Sequence, residues 1–388
     1  MPRFSIRRAA SLLGFPACAF VCVGLLSGCG GSRAVVMDEP AEEVDRSPEA
    51  FLKYSDEFAK LGYRWDWSGF PMPDGRHRVM FLDAYPDAVV TLDTATKLTV
   101  MEPNTGKVRW ANETANPLAK IVGSTRDRNY FGGTRLVAAT ESEAFVLDMQ
   151  TGNLLSRQRF EKVVNTRPLL YGSAAIVGTP TGEVMAHGLQ QNVKLWGFDV
   201  PGAIESNPVL LEGVVGAVSQ AGEVVFVSTS GGSLLGRNRM FAGITTDPVA
   251  AGGLMIVAGG DQSLYAFSPG GQIAWRKRTS RPLVDQPTVR GTDLYCTTAD
   301  DGLTCFEAAT GAVKWSNKNV TGSVIAARKG RLLVWNGRTM TTVDPGTGLM
   351  LERAELPDVA EFAFDAFEDG NMYVLNRGGV VGKFVPRS

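Results

Sequence analysis

A motif of about forty residues recurs along most of this chain, and a period of that length constrains the fold more than any other feature. The segment Val100–Trp110 closely matches Cys305–Trp315, because each carries a Thr-Gly turn followed four residues later by a tryptophan. Further copies of the turn end at Gly152, Asn192, Gly232, Gly271 and Gly348. Positions 106, 152, 192, 232, 271, 311 and 348 are separated by steps of 46, 40, 40, 39, 40 and 37 residues. Repeats of this length indicate a solenoid or a propeller.

Each period contains signals for four strands. One hairpin is clear between Leu254 and Phe267, where two apolar runs flank the turn Gly259-Gly260-Asp261-Gln262. The third strand begins after this hairpin's Thr-Gly position and carries the tryptophan. A fourth begins at an X-Pro pair, because proline favours extended geometry in the residue before it. These pairs start at Arg167, Asn207, Asp247 and Gln286. Four antiparallel strands per period predict an all-β, eight-bladed propeller.

The last blade lacks a strand of its own. The hairpin Met372–Leu375 and Val380–Val385 comes so close to the C-terminus that no residues remain for an outer strand. We therefore expect Tyr63–Trp67 to supply it, with Trp65 or Trp67 in the position of the repeat tryptophan. The tryptophans are interpreted as structural docking residues that cover the seam to the next blade, at Trp110, Trp196, Trp275 and Trp315.

The N-terminus has the pattern of an export signal. Basic residues precede an apolar run from Ala9 to Leu26, and the run ends in Leu26-Ser27-Gly28-Cys29, which is similar to the bacterial lipobox. The expected domains are a signal peptide over 1–28, a lipid-anchored acidic tether with a short amphipathic helix over 29–62, and a propeller over 63–388. Lipidation at Cys29 would anchor the chain at the cell envelope. Gly30 follows this cysteine instead of aspartate, which favours the periplasmic face of the outer membrane over the inner membrane.

The Thr-Gly-x-x-x-Trp repeat resembles that of the pyrroloquinoline-quinone-like (PQQ-like) propeller superfamily, over roughly residues 63–388. With its export signal and about eight blades, the chain is most similar to the BamB-type lipoproteins of outer-membrane protein assembly. This resemblance implies a non-catalytic, protein-binding scaffold whose partners are envelope or outer-membrane proteins, such as the barrel-assembly complex. Propellers serve many functions, so the repeat itself is specific for the superfamily only.

The alternatives are a periplasmic PQQ-binding oxidoreductase and a ligand sensor. The enzyme is disfavoured because the adjacent cysteines typical of quinoprotein dehydrogenases are missing, and no cofactor or metal is expected. His77 and His187 lie far apart and are interpreted as surface or turn residues. Charge is nearly balanced, with 39 basic and 40 acidic residues, so nucleic-acid binding is not indicated.

Two sets of residues remain as candidates. The residues before the four prolines should form part of a polar ring at one rim of the central channel, and we take them as partner-binding candidates: Arg167, Asn207, Asp247 and Gln286. Cys296 and Cys305 should lie on paired strands of one hairpin. A disulfide between them is allowed if Asp300-Asp301 forms the loop and excluded if Asp301-Gly302 does.

Overall fold

The structure, a computed structural model, describes residues 45–71, 77–116, 118–127 and 134–388. It contains eight sheets of four antiparallel strands, which confirms the expected eight-bladed propeller. The first four blades are β2–β5 (Val79–Tyr85, Ala88–Asp93, Lys97–Met101, Val108–Glu113), β6–β9 (Ile121–Asp127, Arg135–Thr140, Glu143–Asp148, Leu154–Arg159), β10–β13 (Leu169–Tyr171, Ala174–Gly178, Glu183–Gly188, Val193–Asp199) and β14–β17 (Val209–Leu211, Val214–Val218, Glu223–Ser228, Leu234–Arg239).

The other four blades complete the ring. Their strands are β18–β21 (Val249–Ala251, Leu254–Gly259, Ser263–Phe267, Ile273–Arg278), β22–β25 (Thr288–Arg290, Asp293–Thr298, Gly302–Glu307, Val313–Asn317), β26–β29 (Ser323–Arg328, Arg331–Trp335, Thr339–Val343, Met350–Glu355) and β30–β32 (Val359–Phe364, Met372–Asn376, Val381–Pro386) with β1 (Tyr63–Gly69). The two middle strands of each blade are almost entirely buried, whereas the outer strands are mostly exposed. In blades 3 to 6 the short inner strand starts directly after the X-Pro pair, as expected.

The eighth blade is closed by the N-terminal strand, as predicted. β1 pairs antiparallel with β32, so that Tyr63 faces Pro386 and Trp65 faces Phe384 across the two strands. Trp67, and not Trp65, occupies the docking position. The first and last strands of the propeller are therefore held in one sheet.

The expected short helix is present. A 3₁₀ turn over Leu52–Tyr54 leads into an α-helix, α1 (Ser55–Lys60). Phe51 and Phe58 are buried against Phe384 of β32. The ring centroid of Phe384 lies 5.7 Å from that of Phe51 and 3.7 Å from that of Phe58. The segment is thus part of the propeller core rather than a free partner motif.

Tryptophans link successive blades by one recurring contact. Each indole Nε1 donates to the carbonyl oxygen three residues before the turn glycine of the next blade, and the ring lies on that glycine. The pairs are Trp67 with Pro103, Trp110 with Met149, Trp196 with Thr229, Trp275 with Ala308 and Trp315 with Pro345, at 2.7–3.1 Å. The docking role inferred from the repeat agrees with this geometry.

Three seams lack the tryptophan, and each is closed differently. After Ser156, the side chain of Gln158 takes over the contact and donates to Leu189 O at 2.6 Å. At Gly236 the two backbones touch, since a β-carbon there would lie 2.4 Å from the carbonyl carbon of Gly270. After Glu352, α1 covers the seam, and Glu57 accepts a hydrogen bond from the Glu355 amide at 3.1 Å.

The hairpin that carries the two cysteines has a different register from both expected ones. Tyr295 faces Cys305, and Cys296 faces Thr304, so the two cysteines point to opposite faces of the sheet. Both are free and buried. Neither expected register is therefore correct, and the possible disulfide is not formed: the loop covers 299–301, one residue off the register that would have placed the thiols opposite each other.

The signal peptide over 1–28, Cys29 and most of the tether lie outside the described residues. Within the part of the chain that the structure describes, no helix is long and apolar enough to cross a membrane.

Candidate functional site

One rim of the propeller carries the connections between blades. The amide of Ile204, in the connection from β13 to β14, donates to Thr179 O in the β11–β12 turn at 2.9 Å. These connections and the turns between the two middle strands therefore share a rim, which we call the connection rim. The inner strands start here, so the connection rim surrounds one mouth of the central channel.

The structure brings the four ring residues together into a ladder of hydrogen bonds that crosses the blades. The amide of Arg167 donates to Asn207 Oδ1 at 2.9 Å, and the amide of Asn207 donates to Asp247 Oδ1 at 2.8 Å. The amide of Asp247 donates in turn to Gln286 Oε1 at 3.0 Å. The side chains of Asn207, Asp247 and Gln286 thus each accept a hydrogen bond from the backbone amide of the ring residue in the preceding blade. All four residues are half-buried, so they are less available to a partner than free strand-start residues would be.

Arg167 extends the ladder across the channel. Its guanidinium, from blade 3, forms an ion pair with the carboxylate of Asp83 in blade 1 and donates to Ser124 O in blade 2. Ser124 Oγ lies 3.3 Å from Asp83 Oδ2. The side chain of one blade therefore ties three blades together at the channel mouth.

Glu361 of blade 8 completes this cluster. Burial, together with the neighbouring Asp83 carboxylate, raises the pKa of its carboxyl group to about 8, although Arg167 opposes the shift. Glu361 is therefore protonated at neutral pH. Asp83 and Glu361 were not identified from the sequence, because neither is followed by the proline that marked the other positions.

Among the described residues, the channel mouth lacks a carboxylate cluster of the kind that binds Ca²⁺ beside a quinone cofactor. No group of three or more His, Cys, Asp or Glu side chains among the described residues is arranged to hold a metal ion. The Arg167 guanidinium is already engaged by Asp83 and Ser124, and the two cysteines face away from each other. We therefore derive no chemical step through such a cofactor.

The connection rim also exposes large apolar side chains. Leu118, Phe241 and Val284 have exposed fractions of 92%, 87% and 81%, the highest among the described large hydrophobic residues, and Val163 is half-exposed. All four lie on connections from an outer strand to the next inner strand. Such positions combine a rigid scaffold with accessible loops, which is typical of binding surfaces.

His187 departs from its expected position. It is buried on β12, not at the surface or in a turn, and its Nε2 lies 2.8 Å from Gln158 Oε1. Burial lowers the pKa of its imidazole. The side chain borders a shallow cleft of about 260 Å³ that also involves Arg159, Glu161 and Lys194. His77 is half-buried, consistent with a turn residue.

Comparisons with known proteins agree with this fold. A family model described as outer membrane protein assembly factor BamB matches residues 65–196, 94–239, 180–269 and 220–358 in overlapping segments. A structure of BamB from Moraxella catarrhalis is similar with a TM-score of 0.63 and 15% identity, covering 83% of this chain and 99% of that one. The computationally designed Ika8 protein is similar with a TM-score of 0.66 and 13% identity, covering 81% and 98%. A comparison with curated protein sequences finds no significant match.

Proposed function

Because this chain belongs to the family of outer membrane protein assembly factor BamB, we propose that it is a non-catalytic, lipid-anchored scaffold of the cell envelope. In this proposal the acyl chains are carried by Cys29, and the propeller holds a protein partner of outer-membrane assembly. The anchoring inference depends on the lipobox-like segment Leu26–Cys29 and on the family. The periplasmic face of the outer membrane is the proposed location, since Gly30 follows the cysteine.

The observation that carries the binding role is the exposure of Leu118 and Val163 beside the channel mouth. Leu118 lies between blades 1 and 2, and Val163 between blades 2 and 3. Exposed apolar side chains on adjacent loops are suited to be anchors in a protein interface. Arg167, on the same connection as Val163, donates to Ser124 O in the strand that follows Leu118, so the two loops are linked and the partner would meet a preorganised surface.

Affinity capture from detergent-solubilised envelopes tests this proposal. The wild-type chain should recover the barrel-assembly complex, and Leu118→Asp with Val163→Asp should reduce recovery at least tenfold, because two apolar anchors are replaced by charges that must be desolvated. Val108→Asp and Val313→Asp are the controls, because these residues are exposed to the same extent as Val163 but lie at the starts of outer strands.

Loss of recovery with both pairs of variants, or recovery that is insensitive to the first pair, would contradict the proposed surface. A saturable rise in melting temperature with PQQ and Ca²⁺, together with dye-linked oxidation of alcohols or sugars, would show that the protein is an enzyme and not a scaffold.

A further inference from the structure

We propose that the outer part of blades 4 and 5 on the connection rim binds the surface of an anionic lipid bilayer. The surface, which we call the blade 4–5 patch, comprises two apolar and four basic residues: Phe241, Val284, Arg239, Lys277, Arg278 and Arg281. Its binding to lipid does not depend on the protein partner proposed above, although its role in the cell rests on the proposed envelope location.

The apolar part of the patch protrudes. Phe241, in the connection from β17 to β18, and Val284, in the connection from β21 to β22, are 87% and 81% exposed. Protruding apolar side chains of this kind can insert into the headgroup region of a bilayer without a preformed pocket.

Three of the four basic residues of the patch are not neutralised by a neighbouring acid. Lys277, Arg278 and Arg281 are exposed and have no ion pair among the described residues. The nearby Asp261 is already engaged, since it pairs with Arg276 at 3.4 Å and accepts a hydrogen bond from Tyr265. The patch is therefore locally positive in a chain whose formal net charge is −1.

A second acid close to the patch is also occupied. Glu223 is buried and pairs with Arg237 at 2.9 Å, while its contact with Arg239 is longer, at 3.7 Å. The exposed acids Asp300 and Asp301 belong to the β23–β24 turn of blade 6. Basic residues with this much exposure are attracted to anionic headgroups, and each one adds to the binding.

The position of the N-terminal chain supports the orientation. The carbonyl oxygen of Asp45, the first described residue, accepts a hydrogen bond from Asn376 Nδ2 at 2.9 Å, next to the β31–β32 turn. This turn lies on the connection rim, as the patch does, because the amide of Arg377 donates to Asp358 O in the connection before β30. A lipid anchor ahead of Asp45 would bring the same rim toward the membrane.

Vesicle flotation tests the proposal with the mature chain carrying Cys29→Ser, so that acylation makes no contribution. The protein should float with vesicles of phosphatidylethanolamine and phosphatidylglycerol and remain at the bottom with vesicles of phosphatidylcholine alone. Binding should weaken as salt is raised. Lys277→Glu with Arg278→Glu and Arg281→Glu should lower the partition coefficient at least tenfold, as should Phe241→Ser with Val284→Ser.

A charge-matched control separates the patch from net charge. Lys107→Glu with Lys120→Glu and Lys318→Glu changes the net charge equally at exposed lysines of other blades, and it should leave at least half of the binding. Equal losses from both triple variants, or no flotation of the wild type, would overturn the proposal. So would patch variants that still float but lose capture of the barrel-assembly complex in detergent, because the patch would then be a protein interface. The variant Leu118→Asp with Val163→Asp should lose capture of the barrel-assembly complex but still float with the anionic vesicles. This difference distinguishes the two proposals.

Discussion

The indole of Trp67, in the strand that closes the ring, lies directly on the α-carbon of Gly106 in the first blade. A β-carbon at Gly106 would come within 2.4 Å of Trp67 Cε3, and Gly106 has a φ of +67°. The same contact recurs at four other seams, for example between Trp110 and Gly152. The blade that holds both the first and the last strand is therefore linked to the first blade by the same contact that links the interior blades.

Gly106→Ala should be strongly destabilising, because the added methyl group needs the space of the indole and the backbone is in the left-handed region. The expected loss is about 2–4 kcal/mol. Gly172→Ala is the matched control, since Gly172 also has a positive φ, of +57°, but nothing lies within 4 Å of its β-carbon position. It should cost about 1 kcal/mol. Urea unfolding measures both, and equal losses would show that the indole contact contributes little.

The blade number and the ring closure could be predicted from the sequence because both depend on counting. The period gives the number of blades, and counting strands assigns Tyr63–Trp67, ahead of the first repeat, to the blade that has three other strands. The choice between Trp65 and Trp67 could not be made, because a β-bulge between them shifts which side chain faces the next blade.

The polar seam between blades 2 and 3 was missed, although the repeat contains a signal for it. Ser156 stands in the tryptophan position, and His187 occupies a position that is apolar in the aligned strands, such as Leu147 and Phe306. Two departures from the repeat pattern at one seam indicate that another contact replaces the tryptophan contact there. The cysteine register was missed for a different reason: a change of one residue in the turn moves every side chain to the other face.

Glu361→Gln should abolish the loss of stability that the wild-type protein shows as pH rises toward 8. The pKa of Glu361 is raised to about 8 in the folded protein, above its usual 4.5, so stability is full below about pH 4.5 and falls as pH rises toward 8. The fall should be on the order of 5 kcal/mol. The glutamine variant mimics the protonated form, so it should be more stable than the wild type near pH 8 and similar to it near pH 4.5.

Urea unfolding over this pH range measures the effect, with Glu352→Gln as the control because Glu352 is an exposed glutamate on an outer strand. The same pH dependence in Glu361→Gln and the wild type would show that Glu361 is ionised in the folded protein.

Thiol titration should find both propeller cysteines free and protected. A chain that starts at residue 29 and carries Cys29→Ser retains only Cys296 and Cys305. Burial raises the pKa of each thiol to about 12, so neither should react in the native protein near pH 8. Two thiols should react on unfolding without reductant, and Cys305→Ser should leave one. Fewer than two in the parent protein would indicate a disulfide, in conflict with the register of Tyr295 opposite Cys305.

Asn207→Ala should destabilise the protein even though the residue lies at the channel mouth. Asn207 Oδ1 accepts from the Arg167 amide at 2.9 Å, and its Nδ2 donates to Asp247 Oδ2 at 2.6 Å, so the substitution leaves a half-buried amide and a carboxylate without these partners. The expected cost is about 1–3 kcal/mol in urea unfolding. Glu205→Ala is the control, because Glu205 is exposed on the same connection and should change stability by about 0.5 kcal/mol or less.

If the two variants are equally stable, the hydrogen-bond ladder does not stabilise the rim, and the side chains of the ladder are free to bind a partner. If only Asn207→Ala is destabilised, variants of the four ring residues that lose partner capture do so because the rim is distorted. The interface should then be mapped with variants of the exposed residues Leu118 and Val163.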